Sequence, residues 1–139
     1  MKEIVMMGRP TLGGVAEGLA LVCPDSIGGN TGALGDLDGV IYESGNQNRG
    51  VSIKDTILVI PGSKGSNGFS CHFKAAKMSG VSPVGWVITK IDSRVGVAVA
   101  SLDVPAVSDF DGDDPVQIIQ TGDWVKIDGS TGLVEITRK

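Results

Sequence analysis

The stretch TILVIPGSKGSNGFSCHFKAAKM, residues 56–78, decides the fold class of this 139-residue chain. Its first part, Thr56–Ile60 (TILVI), is the most β-branched run in the sequence and predicts a central strand that stops at Pro61. A glycine-rich turn, Gly62–Gly68 (GSKGSNG), comes next. It leads into Phe69–Met78, whose alanines and lysines favour a helix. The order of strand, glycine turn and helix predicts an α/β unit.

The residues that follow extend this unit. Trp86–Thr89 (WVIT) predicts another strand. Arg94–Leu102 (RVGVAVASL) is compatible with a strand or a helix, and we interpret it as a helix because the apolar run Val104–Val107 (VPAV) comes after it. A helix between two strands gives a right-handed βαβ crossover.

Strands are also predicted on both sides of this region. Gly18–Val22 (GLALV) is a short apolar run before Cys23 and Pro24, and Val40–Tyr42 is a further candidate. The segment 122–137 alternates as WVKI, DGSTG and LVEIT, which is typical of a β-hairpin. We therefore expect an α/β swivelling β/β/α domain, with a mixed sheet or small open barrel and one or two covering helices. One domain spanning residues 1–139 is expected from the length.

Composition excludes several classes of function. The chain has 12 basic and 16 acidic residues, a net charge of -4 and 4% aromatic residues, so neither a basic stripe nor stacking platforms point to nucleic acid. No apolar run is long enough to span a bilayer, and the first residues lack the order of a signal peptide. We expect a cytoplasmic protein that acts on neither nucleic acid nor membrane. The two cysteines are too few for an iron–sulfur or structural zinc site, so no cofactor is expected in this chain.

The glycine turn Gly62–Gly68 has the chemistry of an anion site. Backbone N–H groups at a helix start are unpaired and attract negative charge. Hydroxyl, ammonium and amide groups lie within five residues of one another: Ser63, Lys64, Ser66 and Asn67. The order differs from that of a P-loop, which disfavours ATP hydrolysis. A second interpretation stays open, in which Ser66 or Asn67 only caps the helix.

Three other features have simple structural interpretations. His72 has no acidic residue within a helical turn, and Cys71 is expected to be a small buried residue. The acidic run Asp109–Asp114 (DFDGDD) does not match a calcium loop and predicts a solvated turn. Ile27–Gly39 (IGGNTGALGDLDG) predicts a loop that is either functional or a mobile surface segment.

Taken together, these motifs resemble the swivel domain of the aconitase X family. The resemblance lies in Pro61–Gly68 with the strand before it, in Gly50–Ile53 (GVSI), and in Ile27–Asn30 and Gly39–Ile41. It covers most of the chain. One departure is Asn46, which stands where many relatives have a histidine.

The resemblance implies a small subunit, or a detached swivelling domain, that closes over a larger aconitase-like subunit to form a hydro-lyase. Activities known in the family are dehydration of mevalonate 5-phosphate and of cis-3-hydroxy-L-proline. The iron–sulfur cluster is expected in the large subunit. By the same resemblance, Ser66 is the base that removes the proton next to a carboxylate. The substrate's anionic group is expected to bind to Ser63, Lys64, Gly65, Asn67 and Gly68.

Two alternatives lie outside this hydro-lyase interpretation. Trp86–Thr89, Val104–Val107 and Gly122–Gly129 are similar to the mobile phosphohistidine domain of phosphoenolpyruvate-utilising enzymes, but Arg94 stands at the histidine position. An arginine does not carry a phosphoryl group as imidazole does, so this alternative is a degenerate domain. The other alternative is a non-catalytic domain that binds an anion or metabolite at the glycine turn.

Overall fold

The computed structural model describes residues 2–29, 32–64 and 68–139. They form one mixed sheet of eight strands with three helices. In chain order the elements are β1 (Lys2–Met7), β2 (Arg9–Leu12), β3 (Val15–Val22), β4 (Ile57–Ile60), α1 (Phe69–Met78), β5 (Gly85–Ile88), α2 (Ser93–Leu102), β6 (Ala106–Ser108), α3 (Pro115–Ile118), β7 (Trp124–Asp128) and β8 (Leu133–Arg138). The predicted α/β class, with a mixed and open sheet, is confirmed.

Strand β4 lies at the centre of the sheet and is buried on both faces. It runs parallel to β3 on one side and to β5 on the other, within the order β1-β8-β7-β3-β4-β5-β6-β2. Because side chains alternate along a strand, Leu58 and Ile60 point to one face and Ile57 and Val59 to the other. This explains why the run is apolar at every position rather than at alternate ones.

Helices α1 and α2 cover the first face of β4. They pack against each other and against a core whose aromatic part is Phe69, Phe73 and Trp86, with ring centroids 4.8–6.5 Å apart. These three are the largest fully buried side chains among the described residues, and burial of apolar area is the main favourable term in folding.

The antiparallel half of the sheet covers the other face. Strands β7 and β8 form the predicted C-terminal hairpin, and their inward residues bury Val125, Ile127, Val134 and Ile136 against Ile57 and Val59. The molecule thus has two sheet layers and one helix layer, as expected for a β/β/α domain.

The two edge strands of the sheet are β1 and β2, which Gly8 alone separates in the chain. Strand β1 pairs with β8, whereas β2 pairs with β6 at the other edge. The sheet therefore curls until its edges approach each other. A Cβ on Gly8 would lie 2.6 Å from Val107 Cγ1, so only glycine fits at this crossing without displacing a core side chain.

The predicted elements differ from the structure in a few places. The helices over 69–78 and 94–102 are confirmed, and the parallel pairing of β5 and β6 confirms the crossover. The prediction of a strand at Val40–Tyr42 was wrong, because Val40 and Ile41 make only isolated bridges, to Ser52 and Leu34. Both β1 and β2 are additional strands. No helix in the part of the chain that the structure describes is long and apolar enough to cross a membrane.

Candidate functional site

The candidate site lies at the edge of the sheet where parallel strands β3, β4 and β5 end. Each strand there gives way to a loop that starts at Cys23, Pro61 or Thr89. Ligands of α/β proteins bind outside the carboxyl ends of parallel strands because the loops converge there. The predicted anion-binding turn after β4 is the middle one of the three.

Contacts from both neighbouring loops hold the start of this turn. The Ser26 hydroxyl, from the loop after β3, donates a hydrogen bond to the Gly62 carbonyl. The Ser63 backbone N–H donates to Asp92 Oδ2 at 2.8 Å, from the loop after β5. Ser26 is 2% exposed and has a positive φ of 59°. The turn is therefore anchored on two sides before it reaches Lys64.

Lys64 forms an ion pair with Glu43. The Lys64 Nζ donates to Glu43 Oε1 at 2.9 Å, and the side chains are 37% and 18% exposed respectively. Lys64 is therefore the more exposed partner of the pair and Glu43 the more enclosed one. Sequence reasoning predicted a role for Lys64 but none for Glu43, which is 21 residues away in the chain.

The Glu43 carboxylate has two further donors. Asn46 Nδ2 donates to Oε1 at 3.0 Å, and the Gly28 backbone N–H also donates to the carboxylate. Burial alone would raise the pKa of Glu43, but the hydrogen bonds from Asn46, Lys64 and Gly28 outweigh burial and lower it. Glu43 is therefore ionised at neutral pH and holds together segments around residues 28, 46 and 64.

Cys23 lies beneath this network. Its side chain is 1% exposed, and burial raises the pKa of the thiol to about 11, although a hydrogen bond from Asn48 opposes the shift. Asn48 also donates to the Val22 carbonyl at 2.8 Å. Burial thus favours the protonated thiol, and Cys23 packs as a small residue of the hydrophobic core.

The predicted site residues fall into two groups. Ser63, Lys64 and Gly68 are described, and the structure brings Ser63 and Lys64 into the network with Asp92 and Glu43. Gly65, Ser66 and Asn67 lie outside the described residues, so their predicted roles stay predictions. Helix α1 begins at Phe69 with Gly68 at the N-cap position. The alternative in which Ser66 or Asn67 only caps the helix also lies outside the described residues and stays a prediction.

A cleft of about 420 Å³ lies beside α1, between that helix and the loop over residues 32–42. His72 and Cys71 line it, and the Asp36 carboxylate lies 3.8 Å from His72 Nδ1. Tertiary structure thus gives His72 an acidic neighbour that was not evident from local spacing. The prediction that Cys71 is buried was wrong: it is exposed, because it lies on the face of α1 away from the core.

The residues that sequence reasoning missed come from three other segments: Ser26, Glu43 and Asp92. Asp92 carried a detectable signal, because an aspartate directly before an apolar helix is a typical N-cap. Its carboxylate accepts from the Val95 N–H at 2.9 Å. Ser26 and Glu43 carried none, because their contacts depend on how loops from separate strands meet. Chemically, the site offers a partly exposed lysine ammonium, held by Glu43, at the carboxyl ends of the parallel strands, and such a group can bind an anion.

Comparison with known proteins gives consistent matches. The family model described as the aconitase X swivel domain matches residues 5–136. The phosphomevalonate dehydratase small subunit of Methanococcoides burtonii is 38% identical over 98% of this chain and 98% of its own length. The small subunit of the same name from Methanocella arvoryzae is 33% identical over 94% of this chain and 97% of its own length.

A solved structure matches the fold. The crystal structure of aconitase X from Thermococcus kodakaraensis in its holo form superposes with a TM-score of 0.87 at 29% sequence identity. The match covers 97% of this chain and 99% of the solved chain. The three-layer arrangement is thus that of this known protein over nearly the whole length of both chains.

Proposed function

The chain belongs to the aconitase X swivel-domain family, and on this basis we propose that it is the small subunit of a phosphomevalonate dehydratase. The observation that carries the proposal is the full-length likeness to subunits of that name, at 38% and 33% identity. Its activity as a hydro-lyase would require a large subunit, over which this domain closes.

The anchored turn supports a role in binding the anionic substrate. An ammonium has three N–H donors, and Glu43 Oε1 is the one hydrogen-bond partner of Lys64 Nζ among the residues described. Two donors therefore remain for a phosphate or carboxylate. In this proposal Ser63, Gly65, Asn67 and Gly68 complete the cradle with hydroxyl, amide and backbone groups.

Ser66 is proposed to remove the proton next to the substrate carboxylate. A free serine hydroxyl is a weak base, so the alkoxide needs stabilisation by nearby positive charge. The positive end of the α1 dipole, the Lys64 ammonium and the exclusion of water on closure would supply it. The residues that flank the turn support this role, because Ser26 and Asp92 fix its beginning.

An iron–sulfur cluster, if present, belongs to the large subunit in this proposal and would act as a Lewis acid on the departing hydroxyl. The donor chemistry of this chain does not fit such a cluster. The chain has two cysteines, of which Cys23 is buried in the core and Cys71 is exposed on a different element, helix α1. Among residues 2–29, 32–64 and 68–139, no group of three or more histidine, cysteine or acidic side chains could hold a metal ion.

The substrate of this proposal is mevalonate 5-phosphate, and cis-3-hydroxy-L-proline is the alternative within the family. The two differ in charge, because only the first has a phosphate. The partly exposed Lys64 ammonium favours the more highly charged anion. A non-catalytic anion-binding domain is the remaining alternative, and it would bind the anion without a large subunit.

The decisive experiment is co-expression of this chain, carrying an affinity tag, with an aconitase X large subunit encoded beside it. We expect the two chains to co-purify and to dehydrate mevalonate 5-phosphate faster than cis-3-hydroxy-L-proline, with neither subunit active alone. A complex that dehydrates only the proline derivative would contradict the proposed substrate. Anion binding by this chain with no association between the subunits would favour the non-catalytic alternative.

A further inference from the structure

Glu43 lies where three separate segments of the chain meet. Its carboxylate accepts hydrogen bonds from Gly28, Asn46 and Lys64, which belong to the loop after β3, the polar segment over residues 43–50 and the turn after β4. Asn46 Nδ2 also donates to the Ser26 carbonyl at 3.0 Å, and Ser26 in turn donates to Gly62. The same network therefore reaches the turn both through the Lys64 side chain and through the Gly62 backbone.

We propose that Glu43 is a positioning residue that holds the Lys64 ammonium in place for the anionic group of the substrate, an inference that rests on the proposed function. A free lysine side chain has many rotamers, and binding an anion at its end requires most of them to be given up. The ion pair with Glu43 restricts them beforehand. The Lys64 side chain then loses less conformational entropy when the substrate binds.

The exposure of the two side chains fits this role. The Glu43 side chain is 18% exposed and that of Lys64 is 37% exposed, so Lys64 is the more accessible partner. Within the part of the chain that the structure describes, one N–H of the ammonium has an acceptor, and in this proposal the other two bind the ligand. Glu43 itself cannot move aside easily, because Asn46 and Gly28 hold its carboxylate from the protein side.

The neighbouring glycine shows how closely the carboxylate is enclosed. A Cβ on Gly28 would overlap Glu43 Oε2. Gly28 does not have a positive φ, so alanine is compatible with the backbone there. The substitution Gly28→Ala should therefore displace the carboxylate while leaving its charge in the molecule, which separates the effect of position from that of charge.

A double-mutant cycle in the complex with the large subunit tests whether Glu43 acts through Lys64. The variants are Glu43→Gln, Lys64→Met and the two together, assayed with mevalonate 5-phosphate. Loss of a partly exposed ion pair should raise KM roughly two- to fivefold while kcat is kept. Loss of the lysine should raise KM about ten- to a hundredfold, since a charged hydrogen bond to the substrate is lost. Adding Glu43→Gln to Lys64→Met should then leave KM at the value of Lys64→Met alone.

Three further variants make the result specific. Gly28→Ala should raise KM as much as Glu43→Gln does. Glu43→Asp should raise KM less than Glu43→Gln does, because aspartate keeps the negative charge. Glu3→Gln, an exposed carboxylate change on β1, should leave KM unchanged. Fully multiplicative effects of Glu43→Gln and Lys64→Met on KM, or a fall in kcat alone, would overturn the proposal.

Nuclear magnetic resonance on the isolated full-length chain separates this proposal from the proposed function. With 15N-labelled lysine, we expect the Lys64 side-chain signal to move toward the values of freely exposed lysines in Glu43→Gln and Gly28→Ala. An unchanged Lys64 signal would overturn the positioning role. If no version of the complex dehydrates the substrate, wild type included, the proposed function fails, and the signal of Lys64 alone decides whether Glu43 holds it.

Discussion

Asp92 accepts a hydrogen bond from the Ser63 backbone N–H at 2.8 Å and so ties the turn after β4 to the start of α2. The same carboxylate accepts from the Val95 N–H at 2.9 Å, which caps the helix. Burial alone would raise the pKa of Asp92, but these N–H donors outweigh it and lower the pKa. One side chain therefore serves both the helix cap and the geometry of the candidate site.

Replacing Asp92 by alanine should remove both contacts. We expect the free energy of unfolding to fall by about 1–2 kcal/mol, the range for losing an N-cap side chain. This change in the free energy of unfolding can be measured by urea unfolding, with circular dichroism as the signal. Asp111→Ala, in the exposed acidic turn, is the matched control and should stay within about 0.5 kcal/mol of wild type. Equal effects of the two substitutions would show that the Asp92 contacts contribute nothing.

Arg138 and Asp123 form the most enclosed ion pair among the described residues. Arg138 Nε donates to Asp123 Oδ1 at 3.0 Å and Nη2 donates to Oδ2 at 2.8 Å, while the Asp123 side chain is 5% exposed. Removing one partner leaves the other charge unpaired. Because Arg138 remains partly exposed, Arg138→Met should lower the free energy of unfolding at pH 7 by less than the loss of one partner from a fully buried ion pair does.

The cost of Arg138→Met should depend on pH. The hydrogen bond from Arg138 is the main reason that the pKa of Asp123 is lowered in the folded state, with burial opposing it. A lowered carboxyl pKa adds stability above the unfolded value of about 3.9, and that stability is lost as pH falls through the folded pKa. In urea unfolding experiments between pH 7 and pH 3, the difference in the free energy of unfolding between wild type and Arg138→Met should therefore become smaller as the pH falls. A difference that is constant with pH would contradict this account.

Two glycines should respond to alanine in opposite directions. A Cβ on Gly129 would overlap the Leu12 carbonyl oxygen, which is backbone and cannot rotate away, so Gly129→Ala should destabilise by about 1–3 kcal/mol or more. Gly96 lies inside α2 with open space around it, so Gly96→Ala should stabilise by about 0.4–1 kcal/mol. Thermal unfolding of both variants checks the pair. A shift of the melting temperature in the same direction for both variants would contradict the packing of these two glycines.

The central unit of the fold was predictable because its signals are local. The continuous apolar run at Thr56–Ile60 reflects burial on both faces of β4, and the hairpin over 122–137 alternates clearly between buried and exposed positions. Strand β2 (RPTL) was missed because its composition is polar and Pro10 disfavours a strand. It pairs only because the chain crosses at Gly8 from one sheet edge to the other. The assignment of residues 1–139 to a single domain stays a prediction.

The candidate site was predictable only in part, because half of its groups come from distant segments. The glycine turn and Lys64 are evident from the strand, turn and helix order. Glu43 and Ser26 are not, since their roles arise where loops after parallel strands converge. For the same reason the acidic neighbour of His72, Asp36, was not predicted.

Ser66→Ala tests the proposed role of the turn after β4 as the source of the proton-abstracting group of a dehydratase. The measurement is kcat for dehydration of mevalonate 5-phosphate by the complex with the large subunit, with Ser79→Ala at the exposed end of α1 as the control. We expect Ser66→Ala to fold and assemble but to lose about 10²–10⁴-fold in kcat with KM largely kept, as for loss of a general base. An assembled Ser66→Ala complex with the kcat of wild type would contradict the proposed role.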